Sequence, residues 1–165
     1  MRGMIRRTVL ASLPLVALAA PGTALGDSLK EGIVGAWRLA AIYNEDNGVN
    51  KHLYGDKPVG LFIFDRSGHF SQFISKPELP KFAQPNRLKG TDKEYREVMQ
   101  GMLAGFGTYS VEGETVTLSW IASSYPNRAG TTEKRTYKIV GEEMSSVNPT
   151  AASGGTAYTK FVRAK

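Results

Sequence analysis

Glu133, Arg135 and Tyr137 alternate along Thr132–Val140, a run with the period of a β-strand, so the three side chains share one face. That face also carries Ile139, which marks it as the inward one. A guanidinium turned into a protein interior needs a carboxylate, a phosphate, an aromatic ring or water, because leaving it unpaired costs several kcal/mol. Two readings follow. Arg135 pairs with a protein carboxylate such as Glu133 or Glu114, or Arg135 and Tyr137 together hold the acidic or carbonyl head of an apolar ligand. Tyr109, Tyr137 and Glu133 are the residues that could act as acid or base. The chain contains no Gly-x-Ser-x-Gly, no His-Glu-x-x-His and no phosphate-binding glycine loop. No catalytic residue is therefore assigned. Zero Cys excludes disulfides, thiolate metal sites and Cys nucleophiles. His52 sits in a loop and His69 in a turn; only His69, leaning into a cavity mouth, could serve a haem. The expectation is no metal and no cofactor.

These groups must be placed by a single domain, because 165 residues leave little room for two. The N-terminus is expected to be excluded from it. Arg2, Arg6 and Arg7 precede an apolar run from Thr8 to Ala20, and Ala24 and Gly26 are small residues at −3 and −1 before Asp27. This is the pattern of a secretory signal peptide over residues 1–26, with an exported, periplasmic or extracellular, mature domain over 27–165. The apolar run is short and contains Pro14, so no membrane span is expected in the mature protein. Arg6-Arg7 is similar to a twin-arginine signal, although Ile5 stands before the pair. Removing residues 1–26 takes three basic residues and no acid, so the formal charge drops from +6 to +3. That is weak support for a nucleic-acid partner, and none is expected.

Eight strand-like runs follow. Ile33–Tyr43 comes first; Val59–Phe64 and Phe70–Ser75 flank Asp65-Arg66-Ser67-Gly68. Thr108–Val111 and Thr115–Ser124 flank Glu112-Gly113-Glu114, Thr132–Val140 and Met144–Val147 flank Gly141-Glu142-Glu143, and Thr156–Arg163 ends the series. Short strands joined by turn signals predict an all-β fold, an antiparallel up-and-down barrel of about eight strands. Within Thr115–Ser124 the buried face is Val116, Leu118, Trp120 and Ala122. Phe62, Phe64, Phe70 and Phe73 add apolar surface whose facing the pattern leaves open.

One segment has helical spacing. Thr91 and Glu94 form a capping box, and Tyr95, Val98, Met99, Met102, Leu103 and Phe106 then share one helical face. The reading is an amphipathic helix over about 91–105, packed on the barrel or across one mouth, weakened by Gly101 and Gly105. Before it, the proline-rich stretch 76–90 carries Lys76, Lys81, Arg87 and Lys89, either as solvated surface or as a rim that attracts an anion.

Several motifs together resemble the bacterial lipocalin-like domain family of the lipocalin/calycin superfamily. They are Gly35-Ala36-Trp37-Arg38-Leu39, Pro58–Phe64 with Asp65-Arg66-Ser67-Gly68, Phe106–Val111, and Pro126-Asn127 ahead of Arg135. The resemblance runs from about residue 33 to 163. It implies a β-barrel binding small apolar molecules, with Trp37 plugging the closed end beneath a C-terminal arginine, for which Arg163 is the candidate. Arg135-x-Tyr137 also resembles the carboxylate-binding pair of intracellular fatty-acid-binding barrels.

The reading is then an exported barrel holding a small, mostly apolar or amphiphilic ligand with an acidic or carbonyl head group. The expected ligand-binding residues are Trp37, Phe64, Tyr109, Trp120, Arg135 and Tyr137. The alternative is a cyclase or isomerase acting on a hydrophobic substrate in the same cavity.

Overall fold

The computed structural model describes residues 25–165. The signal peptide expected over residues 1–26 lies, apart from its last two residues, outside the described residues. Nine strands form one antiparallel sheet that closes on itself: β1 (Gly35–Asp46), β2 (Val49–Lys51), β3 (Val59–Phe64), β4 (His69–Ser75), β5 (Met102–Glu112), β6 (Thr115–Ser123), β7 (Thr132–Val140), β8 (Glu143–Asn148) and β9 (Thr156–Arg163). β1 pairs with both β3 and β9, so β1 and β3–β9 make an eight-stranded barrel. Closure removes the open sheet edges that would otherwise invite pairing with another chain. The short β2 folds back on the end of β1 through Asn47-Gly48, both at positive φ. The first strand runs past Tyr43, where the sequence run ends, through Asn44 and Glu45 to Asp46.

Period-two alternation fills the interior. β3 buries Gly60, Phe62 and Phe64 and turns Val59, Leu61 and Ile63 outward; β4 buries Phe70, Gln72 and Ile74 and exposes Phe73. β6 contributes Val116, Leu118 and Trp120, and β7 contributes Arg135 and Tyr137, as the sequence indicates.

One helix lies at each end. α1 (Leu25–Gly32), a segment without a sequence signal, packs against β5 and β7 and buries Leu29. The chain then turns sharply into β1 at Gly35, whose φ of 131° disfavours a side chain. α2 (Asp92–Gly101) begins with the expected capping box, Glu94 N–H donating to Thr91 Oγ1 and Thr91 N–H to Glu94 Oε2. It ends earlier than the sequence suggests. Met102, Leu103 and Phe106 belong to β5, not to the helix face, and Phe106 points outward. The reason is tertiary: residues 102–108 complete a full ladder with β4, from Ser75 opposite Met102 to His69 opposite Thr108. Gly105 and Gly107 serve that strand. A Cβ on Gly105 would stand 2.8 Å from the Trp120 ring, and one on Gly107 would run into the Ser119 carbonyl.

Candidate functional site

The two ends of the barrel differ. At the end covered by α1, Trp37 is fully buried and its indole N–H donates to Ile33 O at 2.7 Å. The Arg163 guanidinium lies 4.2 Å from the Trp37 ring and donates to Gly32 O (2.9 Å) and Val34 O (3.3 Å). Phe64 meets Tyr109 and Tyr137 edge-on, at 5.1 and 6.0 Å between centroids. The Tyr109 hydroxyl donates to Asp65 O at 2.8 Å. Burial, with the Asp65 charge adding to it, raises the Tyr109 pKa. This end is filled.

The other end holds a cavity of about 470 Å³. Its apolar wall includes Ile42, Phe62 and Ile74 from the strands, with Met102 and Leu103 at the start of β5. α2 lends Met99 and Gln100, the loop after β2 lends Leu53 and Tyr54, and the β8–β9 loop lends Ala151–Ser153. α2 is held in place by the stretch before it. Ala83 N–H donates to Glu94, Tyr95 O–H donates to Arg87 O, and Phe82 packs on Tyr95. Of the basic residues in 76–90, Lys76 lines the cavity.

Three polar lining residues, Arg128, Arg135 and Asn148, converge on Glu133. Its Oε1 accepts from Arg128 Nε at 2.6 Å; its Oε2 accepts from Arg135 Nη2 at 2.8 Å and Nε at 3.2 Å, with Asn148 Nδ2 at 3.4 Å. All three charged side chains are nearly buried, and Arg128 and Arg135 line the cavity. Arg128 reaches it from a single 3-10 turn, Pro126–Arg128, between β6 and β7. Pro126 opens that turn with its fixed φ, and Thr131 N–H and O–H donating to Arg128 O close it. The bend lays the Arg128 guanidinium on Trp120, 4.3 Å from the ring. Arg128 Nη1 is enclosed and has no hydrogen-bond partner. Burial, and after it the nearby Arg135 charge, lowers the Arg128 pKa, while Glu133 opposes the drop. Burial raises the Tyr54 pKa, against the pull of Arg128.

Among the six residues singled out from sequence, Arg135 lines this cavity. Trp120 stands just behind it as the platform for Arg128. Tyr137 is wholly buried beside Arg135, and burial raises its pKa. Trp37, Phe64 and Tyr109 pack in the closed end. Among the lining residues that sequence reasoning passed over are Arg128, Tyr54, Gln72 and Asn148. Arg128 had one signal, its place after Pro126 between two strands whose inward residues are Trp120 and Glu133. Among the described residues no three of His, Cys, Asp and Glu gather as a metal site would require. No helix there is long and apolar enough to cross a membrane.

Comparison with known proteins bears on this architecture directly. Residues 34–160 match the family model described as a lipocalin-like domain. The chain belongs to the lipocalin-like domain family. It is 33% identical over 91 residues to the 4'-hydroxy-3'-methoxypropiophenone carrier protein ppsC of Aspergillus oryzae, spanning 49% of this chain and 82% of that one. Two solved structures also align with it. A lipocalin-like protein from Bacteroides uniformis shares 15% identity with a TM-score of 0.45, covering 80% of this chain and 98% of that chain. Secretory abundant heat soluble protein 4 from Ramazzottius varieornatus shares 15% identity with a TM-score of 0.38, covering 80% and 94%. The lipocalin-like barrel thus joins a closed aromatic end to an open end with a charged, part-apolar cavity.

Proposed function

We propose that this lipocalin-like chain is an exported carrier that holds one small, mostly apolar molecule with a polar or acidic end. The observation that carries the reading is the open-end cavity. Its volume of about 470 Å³ suits a single aryl-alkyl or short-chain molecule, and its walls combine an apolar part (Ile42, Phe62, Ile74, Leu103) with polar groups that include Arg128 and Arg135. The propiophenone carrier, a relative named for binding an aryl ketone that bears a phenol, supports the same ligand class. The buried carboxylate that an acid–base mechanism would use, Glu133, has both oxygens engaged by arginines, which favours carriage over a cyclase or isomerase reaction.

Native mass spectrometry of the purified protein, with thermal-shift screening of aryl ketones, aromatic acids and fatty acids, tests the reading. A stoichiometric small molecule or a ligand-dependent rise in Tm is expected. A protein that stays unliganded and unshifted across the screen would refute it. Export is tested separately: the mature N-terminus is expected at Asp27, and an uncleaved cytoplasmic product would remove that part of the reading.

A further inference from the structure

The cluster in the open end does not balance. Arg128 and Arg135 bring two positive charges and Glu133 one negative, so one positive charge is left over in a nearly buried place. The two arginines are not equivalent. Arg135 spends Nε and Nη2 on Glu133. Among the described residues Arg128 spends Nε alone, leaving the outer fork of its guanidinium with no acceptor, Nη1 enclosed by protein and Nη2 the outer nitrogen that is not. Nη2 is a charged donor suited to one oxygen of a carboxylate or phenolate. Trp120 on one face and Glu133 at Nε fix the guanidinium plane in advance, so little rotamer freedom is lost when an acceptor arrives. Glu133 meets Arg128 at Nε and not at its outer nitrogens, and its other oxygen is taken by Arg135 and Asn148.

We propose that Arg128 forms an oxyanion subsite, and that the molecule carried is an apolar body bearing a single anionic oxygen group, a carboxylate or a phenolate. The inference rests on the carrier reading and adds charge selection to it. Burial together with the Arg135 charge lowers the Arg128 pKa, and an anion at Nη2 relieves that penalty.

The experiment uses matched pairs. Uptake of the neutral dye N-phenyl-1-naphthylamine first reports whether the cavity accepts an apolar guest. Titration calorimetry then compares hydrocinnamate with hydrocinnamamide, and 4'-hydroxypropiophenone with its methyl ether. The anion-forming partner of at least one pair is expected to bind about tenfold or more tightly, and Arg128→Gln is expected to bring that ratio close to one. The acid pair identifies a carboxylate ligand and the phenol pair a phenolate. Equal affinities within both pairs overturn the subsite while dye uptake leaves the carrier reading standing. A preference that survives Arg128→Gln overturns it as well. A protein that takes up neither dye nor ligand sinks the carrier reading and the subsite with it. Should Arg128→Gln not fold, the Arg128 Nε–Hε NMR signal of the unaltered protein decides. It must shift with hydrocinnamate and not with the amide, and the reverse result overturns the proposal.

Discussion

Each end of the barrel holds an arginine laid on a tryptophan, at nearly the same separation: Arg163 on Trp37 at 4.2 Å and Arg128 on Trp120 at 4.3 Å. The stacking is alike, yet the two pairs do different work. Arg163 is part-exposed and gives its outer nitrogens to two backbone carbonyls. Trp37 gives its indole N–H to a third, Ile33 O. The outer nitrogens of Arg163 and the indole N–H of Trp37 all have acceptors, and the pair locks α1 and the start of β1 to the last strand. Arg128 is nearly buried, its Nη1 is unpartnered, and so is Trp120 Nε1. A native interior seldom leaves buried donors unused. The lesson is that an Arg–Trp stack does not by itself distinguish a structural lock from a binding site; the fate of the remaining donors does.

The strongest way to break this contrast is to remove the carboxylate beside each arginine. Glu133→Ala strands two nearly buried guanidinium groups and is expected to cost about 3–5 kcal/mol in denaturant unfolding. Glu142, the acid near Arg163, is 3.8 Å away and 71% exposed, so Glu142→Ala is expected to cost less than about 0.5 kcal/mol. Comparable losses would mean that the two arginines sit in equivalent settings.

Arg163→Met comes next. It removes two charge-assisted hydrogen bonds to backbone carbonyls, and about 1.5 kcal/mol of destabilisation is expected, scaled down because the guanidinium is part-exposed. Ligand affinity should not change, since Arg163 lies at the far end of the barrel from the cavity. A drop in affinity of the folded variant would show that the two ends are coupled.

The indole nitrogens give a finer comparison. Trp37→Phe and Trp120→Phe lose similar ring volume, but the first also orphans the Ile33 carbonyl. Trp37→Phe is expected to cost about 1 kcal/mol more than Trp120→Phe. Equal costs in chemical denaturation would imply that Trp120 Nε1 has a partner in solution.

Much of the closed end could be read from sequence, and little of the open end. The eight barrel strands, the inward set of β7 and the Thr91 capping box all follow from local spacing. The stacking of Arg163 on Trp37 agrees with what the family resemblance implies. Tyr137 is buried where alternation puts it and Trp37 where the family resemblance implies, while the facing of Phe64, which the pattern leaves open, is inward. The α2–β5 boundary was not legible, because Met102, Leu103 and Phe106 satisfy helical spacing while pairing with β4 decides their state. The cavity was less legible still. Arg128, Tyr54 and Ala151–Ser153 reach it from connections, whose direction depends on tertiary closure and not on periodicity. Arg135, placed inward from its strand, is neutralised by Glu133; the arginine whose outer nitrogens lack acceptors is the one on the turn.

The smallest expected effect is on acidification, and it too separates the two ends. Asp65, in the β3–β4 turn of the closed end, has its pKa lowered by the His69 backbone N–H, then by the Ser67 hydroxyl and N–H. Glu94, in the α2 cap at the open end, is lowered by the backbone N–H groups of Thr91 and Ala83. A carboxylate depressed on folding contributes stability that is fully present above its unfolded pKa and disappears as pH falls through the lower folded value. For Asp65 the loss begins below its ordinary value of 3.8, and for Glu94 below 4.5. Both groups are exposed, so the effect is small. Asp65→Asn should therefore lower Tm at neutral pH by an amount that shrinks toward zero as the pH drops through this window. Glu94→Gln should behave in the same way. It should also speed hydrogen exchange of the amides at residues 91–95 without affecting those of the β3–β4 turn. A Tm difference that is constant with pH would show that neither carboxylate is depressed by its turn. Exchange spreading from residues 91–95 into the Asp65 turn would show that the mouth and the closed end open together, and the separation of the two ends would fail.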